Sequence, residues 1–252
     1  MKSAAILALF TLFLTPLALP WEPIYHHFYP LPPGILEGYK TTEFDGIEGY
    51  NTTEIEWDLE VDPHTGKTIV ARGTVEQIRE EALKHNSDWD AHYIEPARQK
   101  MKRALEMNSY EELEAHFRSA DSELESDSES ESHLEKRAIF NLAARDCGGR
   151  WKEVNWDTAL RNTAYLSGLK GYPKRGAGPG NCGRVSCSYN TAIWWCNDEP
   201  FDKTLMGYDR IYYGALEVVS PCSHKPFGGS RKTSGQAFST GGWNVIVRKD
   251  KC

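Results

Sequence analysis

The first 146 residues of this 252-residue chain contain no cysteine; all six, Cys147, Cys182, Cys187, Cys196, Cys222 and Cys252, fall in the C-terminal part. Long apolar runs are also missing. The longest, Ala4 to Leu14, has 11 residues, short of the roughly 18–20 that a membrane-spanning helix needs, so no transmembrane anchor is expected. Histidine is scarce where cysteine is plentiful: of the 8 histidines only His224 follows Arg137. No Gly-x-Ser-x-Gly and no His-Glu-x-x-His occurs there, and a Ser/His/Asp set would have one imidazole to draw on. Cys182, Cys187 and Cys196 lack the paired C-x-x-C knuckles of a zinc site. Neither a metal nor a cofactor is expected.

What is present reads as a precursor. Lys2 followed by the apolar run to Leu14 suits a signal peptide over residues 1–18, and hence secretion. From Ser119 to Ser132 the chain is nearly all Ser, Asp and Glu, with only Ala120 and Leu124 apolar, a composition that cannot bury enough surface to fold. This tract leads to Leu134-Glu135-Lys136-Arg137. Paired basic residues in such a segment are what kexin-type proteases cut, so maturation is expected after Arg137. Four parts follow: signal peptide 1–18, propeptide 19–118, acidic Ser-rich linker 119–137 and mature cysteine-rich domain 138–252.

Charge divides at the same point. The whole chain carries −7, but residues 138–252 hold 16 basic and 9 acidic side chains, +7, leaving 13 and 27 in the leader, −14. An acidic leader beside a basic product suggests electrostatic pairing, although acidity would also keep a partly unfolded leader soluble. A basic product suits an anionic extracellular surface or polysaccharide. Six cysteines in a secreted segment of 115 residues read as three disulfides, and six cysteines allow 15 pairings.

The leader has its own pattern. Ile55, Trp57, Leu59 and Val61 alternate with acids, the period of a half-buried strand. Asp62-Pro63-His64-Thr65-Gly66 is turn chemistry, and Lys67 to Arg72 can return as a second strand. Thr74 reads as a helix N-cap with Gln77 at the capping-box position, ahead of the apolar face Val75, Ile78, Ala82 and Leu83. A helix is expected from Glu95 to Glu106 and another from Ser109. The unit is ββα-like, and its own core is small. Asn51-Thr52-Thr53 is the one N-glycosylation sequon. Of two further Lys-Arg pairs, Lys102-Arg103 falls on the expected helix and Lys174-Arg175 in a Gly/Pro-rich loop.

In the product, Asn155 to Ser167 reads as a helix with Trp156, Ala159, Leu160, Thr163 and Leu166 on one face. Gly168 to Gly183 reads as a long loop. Val185 to Tyr189 and Thr191 to Cys196 read as strands around Asn190, Lys203 to Ser220 as a helix, and Ser234 to Phe238 with Trp243 to Arg248 as a closing hairpin. The expected fold class is α+β: a small disulfide-stapled domain with helices packed on an antiparallel sheet, preceded by a propeptide with the small ββα-like unit and the acidic linker.

Several strings carry a resemblance: Gly178-Pro179-Gly180-Asn181-Cys182-Gly183-Arg184-Val185-Ser186-Cys187-Ser188-Tyr189-Asn190, Ala192-Ile193-Trp194-Trp195-Cys196-Asn197-Asp198 and Gly235-Gln236-Ala237-Phe238, with Trp243-Asn244-Val245-Ile246-Val247-Arg248 before Asp250 and Cys252. With Gly73-Thr74-Val75-Glu76-Gln77-Ile78 and the Leu-Glu-Lys-Arg site, the chain resembles a family of small secreted cysteine-rich proteins of filamentous fungi with a kexin-processed propeptide. It is more distantly similar to fungal killer toxins and necrosis-inducing effectors. The resemblance implies a secreted effector or toxin-like protein and supplies no catalytic residues.

The expected mode of action is binding to an extracellular target of a host or competitor, not catalysis. Alternatives are a small hydrolase held latent by its leader, drawing carboxylates from Asp198, Glu199, Asp202, Asp209 or Glu217, and a wall-binding lectin-like module. Neighbouring strand residues face opposite ways, so one of Trp194 and Trp195 is expected in the core and the other outward or beneath a loop. An outward indole beside Arg184 or Arg248 would form a binding surface. The kexin-type protease is the expected partner in maturation, and nucleic acid is not expected.

Overall fold

Alternation at Ile55, Trp57, Leu59 and Val61 produces the strand the pattern predicts, and all four side chains are buried. The structure, a computed structural model, describes residues 46–105 and 140–252. The signal segment, the helix expected from Ser109, the acidic linker and Lys136-Arg137 lie outside the described residues.

The leader contributes a short β1 (Asn51–Thr52), the hairpin β2 (Glu56–Asp62) and β3 (Lys67–Arg72), and helices α1 (Val75–His85), α2 (Trp89–Tyr93) and α3 (Glu95–Leu105). The capping box at α1 forms as its residues require: Gln77 Oε1 accepts from the Thr74 N–H at 2.7 Å. Lys102-Arg103 lies on α3, as expected.

The cysteine-rich part begins with β4 (Leu142–Cys147) and β5 (Val154–Asn155). Helix α4 (Trp156–Ala164) follows and tightens into a 3-10 turn (Tyr165–Gly168). Next come β6 (Gly171–Arg175), β7 (Asn181–Ser188), β8 (Thr191–Asn197) and β9 (Lys203–Thr204). Helix α5 (Asp209–Val219), β10 (Lys232–Thr233), β11 (Gly235–Ser239) and β12 (Trp243–Lys249) complete the described chain. The β7–β8 hairpin turns at Tyr189 and Asn190, both with positive φ (49° and 58°), the twist-matched geometry of a two-residue hairpin. Mixed helices and antiparallel strands under three disulfides make the class α+β, as expected.

Six strands form one sheet in the order β1-β7-β8-β12-β11-β4; four form another in the order β3-β2-β6-β9. Both sheets therefore contain strands from each side of the dibasic site. In the smaller sheet β2 lies between its hairpin partner β3 and β6, with Trp57 opposite Pro173 and Leu59 opposite Gly171. In the larger one β1 runs parallel to β7, Thr52 beside Cys182. Residues 46–105 do not stand apart from the cysteine-rich part: their buried apolar side chains share one core with Leu160, Leu205, Tyr208 and Ile211.

Two expectations are corrected. Residues 168–183 are not one loop, because they contain β6 and the start of β7. Their Gly and Pro content hides a strand whose ladder partners, β2 and β9, lie far away in sequence. The helix expected over 203–220 starts only at Asp209, since Lys203 and Thr204 pair with β6 and Gly207 separates the two elements. Consequently Lys174-Arg175 lies in a paired strand. Arg175 is buried and Lys174 is ion-paired with Asp58 at 2.7 Å.

Candidate binding face

The disulfides pair Cys147 with Cys222, Cys182 with Cys196, and Cys187 with Cys252. The first joins the edge strand β4 to the segment after α5. The second crosses the β7–β8 hairpin between directly opposed residues. The third fixes the last residue of the chain to β7.

Alternation on β8 sends Trp194 and Trp195 to opposite faces, as expected, yet both are fully buried. Trp195 enters the core beneath α4 and α5, while Trp194 joins a second cluster with Ile47, Trp151, Ile246 and three disulfide cysteines. Of the two placements open to the second indole, outward or covered, the structure has the covered one, because Ile47, Trp151 and Ile246 close this second face of the large sheet. The Trp194 indole N–H donates to Asp250 Oδ2 at 3.2 Å. Burial pushes the Asp250 carboxyl up, and Arg248 and Arg184 act in the opposite direction. Arg184 is itself buried, with one guanidinium nitrogen donating to the Lys251 carbonyl at 3.1 Å. Neither tryptophan, nor Arg184, presents a surface.

What this face does present is cationic. The Lys249 N–H donates to the Lys152 carbonyl at 2.8 Å, drawing Arg150-Trp151-Lys152 alongside Arg248-Lys249-Asp250-Lys251. Trp151 is the platform between them. Arg150 lies 4.3 Å and Arg248 5.9 Å from its ring centroid, within the range of cation–π attraction. Arg150 also covers Tyr50 at 5.1 Å. Arg150, Lys152, Lys249 and Lys251 are exposed and Arg248 is partly so. Of the residues singled out from sequence, only Arg248 belongs to this exposed cluster. Arg150-Trp151-Lys152 carried a local signal, an aromatic between two cations, but its proximity to residue 249 did not.

The other candidates are dispersed. Asp198 accepts from Asn244 Nδ2 at 2.7 Å, Glu217 pairs with Arg145, and His224 faces Glu153 at 3.2 Å on an exposed loop. Asn51 is exposed on β1. Among the described residues no group of three or more His, Cys, Asp and Glu is placed to hold a metal ion, and no helix is long and apolar enough to cross a membrane.

No protein-family model, no curated protein and no solved structure matches this chain. The site is therefore argued from its own geometry.

Proposed function

We propose that the protein is a secreted binding protein, effector or toxin-like as its resemblance to small cysteine-rich fungal proteins implies, made as a precursor cut after Arg137. Its target is an anionic extracellular component of a host or competitor, a charged polysaccharide or wall surface. The observation that carries this reading is the juxtaposition of Arg150 and Lys152 with Arg248, Lys249 and Lys251 around Trp151, held by the Lys249–Lys152 backbone bond. The Cys187–Cys252 bridge anchors the segment beside it. Like charges cluster at a cost in self-repulsion that an anionic ligand would remove, and a rigid framework lowers the ordering cost of binding.

Retention on an immobilised polyanionic polysaccharide, compared with a neutral glucan, tests this. Wild-type protein should be held and released by salt, since exposed charges are screened beyond about 8 Å at physiological ionic strength. Replacing Arg150, Lys152, Lys249 and Lys251 with Gln should abolish retention without lowering the melting temperature. Equal retention of wild type and variant would refute the binding face. Applied to host and competitor cells, the protein should arrest growth or kill without hydrolysing wall polymer; turnover of a glycan would support the latent hydrolase instead. Lys136→Ala with Arg137→Ala should increase the mass of the largest secreted fragment.

A further inference from the structure

A cut after Arg137 would divide two parts that the fold pairs and packs together. We propose that leader residues 46–105 remain bound after cleavage as a second, non-covalent subunit, so that the mature protein is a two-chain particle. This rests on the proposed processing at Arg137 but concerns a different question, namely what holds the fragments together once the chain is cut.

Covalent linkage is easily traced. The leader has no cysteine, and all three bridges join residues within 147–252. Apart from the connecting segment 106–139, only non-covalent contacts join the two parts. The strand pairings between them, β1 with β7 and β2 with β6, are made by described residues of each part.

Those contacts are interior ones. The Trp57 ring stacks on Tyr208 at 5.0 Å and both side chains are fully buried. Removing the leader would strip β6 of β2, leaving it only the two-residue β9 as a ladder neighbour, and isolated two-stranded pairs are marginal in water. Buried polar groups are shared as well. The Arg175 guanidinium donates to the carbonyls of Glu54 at 2.8 Å and Thr53 at 2.9 Å. In the reverse direction, Glu76 of α1 accepts from the Ser186 hydroxyl at 2.7 Å and from the Cys187 N–H at 3.2 Å. Separation would take the Ser186 and Cys187 donors from the buried Glu76 carboxyl, and would leave the Arg175 guanidinium with only its Asn181 and Cys182 acceptors.

Product glycines record the same fit. A Cβ at Gly171 would lie 1.7 Å from the Asp58 carbonyl oxygen, and one at Gly168 would lie 1.8 Å from that of Tyr93. The product thus lacks side chains where the leader backbone passes closest. Its surface along β6, β7 and Tyr208 fits one partner, the chain's own leader. Residues 46–105 hold 12 acidic and 8 basic side chains, −4, against +7 for residues 138–252, and these opposite signs favour the same association.

The test uses the full chain with Lys136-Arg137 replaced by the recognition sequence of a site-specific protease supplied in vitro, so it does not depend on whether a kexin-type enzyme cuts the natural site. After complete cleavage, denaturing electrophoresis without reductant should resolve two polypeptides. Native gel filtration with mass determination should show both in one peak at one-to-one stoichiometry. Elution of a folded 138–252 fragment apart from the leader would overturn the proposal, and so would precipitation of the product with the leader left in solution. A Trp57→Ala, Glu76→Ala double variant provides the second readout. It should co-elute less after cleavage than the wild type does, and undiminished co-elution would show that these contacts do not hold the fragments together. An uncut natural chain in the secreted medium would count against processing at Arg137 and leave the interface result unaffected.

Discussion

The ring of Trp57, from the acidic leader, stacks nearly parallel on that of Tyr208, from the basic cysteine-rich part, with 5.0 Å between centroids and 7° between planes. Each also donates to a backbone carbonyl: the Trp57 indole N–H to that of Gly73 at 2.6 Å, and the Tyr208 hydroxyl to that of Asp58 at 3.1 Å. Burial, and after it the negative charge of nearby Asp58, hold the Tyr208 phenol well above its usual range, so it remains a neutral donor at any physiological pH.

Trp57→Ala should therefore be among the most damaging single changes in the leader. It removes a fully buried aromatic and its stack, for which a loss of about 3–5 kcal/mol is expected. Urea unfolding of the intact chain measures it. The midpoint should fall while the slope is unchanged, because the surface exposed on unfolding is nearly the same. A loss no larger than that of an exposed control, Val70→Ala, would contradict the shared core.

Gly171 tests the closeness of β6 to β2. Its φ is +123°, and a Cβ would meet the Asp58 carbonyl oxygen at 1.7 Å, a backbone atom that cannot turn aside. Gly66 also has positive φ, +65°, but open space around it. Gly66→Ala should cost about 1–2 kcal/mol from conformation alone. Gly171→Ala should cost more, because the β2–β6 ladder must shift as well. Thermal unfolding of the two variants side by side decides it, and equal losses would mean that the strands do not approach this closely.

Local signals and non-local ones separate cleanly in this chain. β2, its turn, β3 and the start of α1 were legible because period-two alternation, Asp62-to-Gly66 turn chemistry and the Thr74/Gln77 capping box are all contained in adjacent residues. β4 was not, since Leu142 to Cys147 has no apolar alternation and is a strand only because β11 pairs with it. The opposite orientations of Trp194 and Trp195 followed from strand geometry. Their common burial did not, because the second face of the sheet is closed by Ile47, Tyr50, Trp151 and Cys252, which are brought there by pairing and by a disulfide. The cationic face was half legible for the same reason: each basic segment is visible in sequence, and only the Lys249–Lys152 bond unites them.

The Cys187–Cys252 bridge should matter to that face more than to the core beneath α5. Cys187 lies on β7 and Cys252 ends the segment that carries Lys249 and Lys251. Replacing both with Ser should lower stability by about 2–4 kcal/mol. It should also raise hydrogen exchange selectively at residues 249–252, freeing the Lys251 carbonyl from Arg184. Exchange measured by mass spectrometry would show it. Uniformly raised exchange through α5 would instead assign the bridge to the global fold.

Glu76 should give the intact protein a pH dependence that originates between residues 46–105 and the cysteine-rich part. Its carboxyl is buried, and burial raises its pKa above the ordinary value of 4.5, outweighing the Ser186 hydroxyl and the Cys187 N–H, which favour the charged form. Asp250 is raised in the same sense within the cysteine-rich part. When the folded pKa exceeds the unfolded one, the native state holds more protons in the window between them, so stability falls as pH rises. Glu76's contribution is therefore fully present below about 4.5 and is lost progressively as pH climbs through its folded pKa. The partly exposed Asp62 and Glu81 shift downward and act oppositely, so the Glu76 contribution is isolated by difference. Glu76→Gln keeps an amide oxygen to accept from Ser186 and Cys187 but cannot ionise. The stability of wild type minus variant, from urea unfolding between pH 4 and pH 8 (a range set at about the ordinary carboxyl value and above), should decline with pH and then level off. A difference that is flat, or that grows with pH, would mean that Glu76 is held as a stabilised carboxylate and that its burial does not govern its titration.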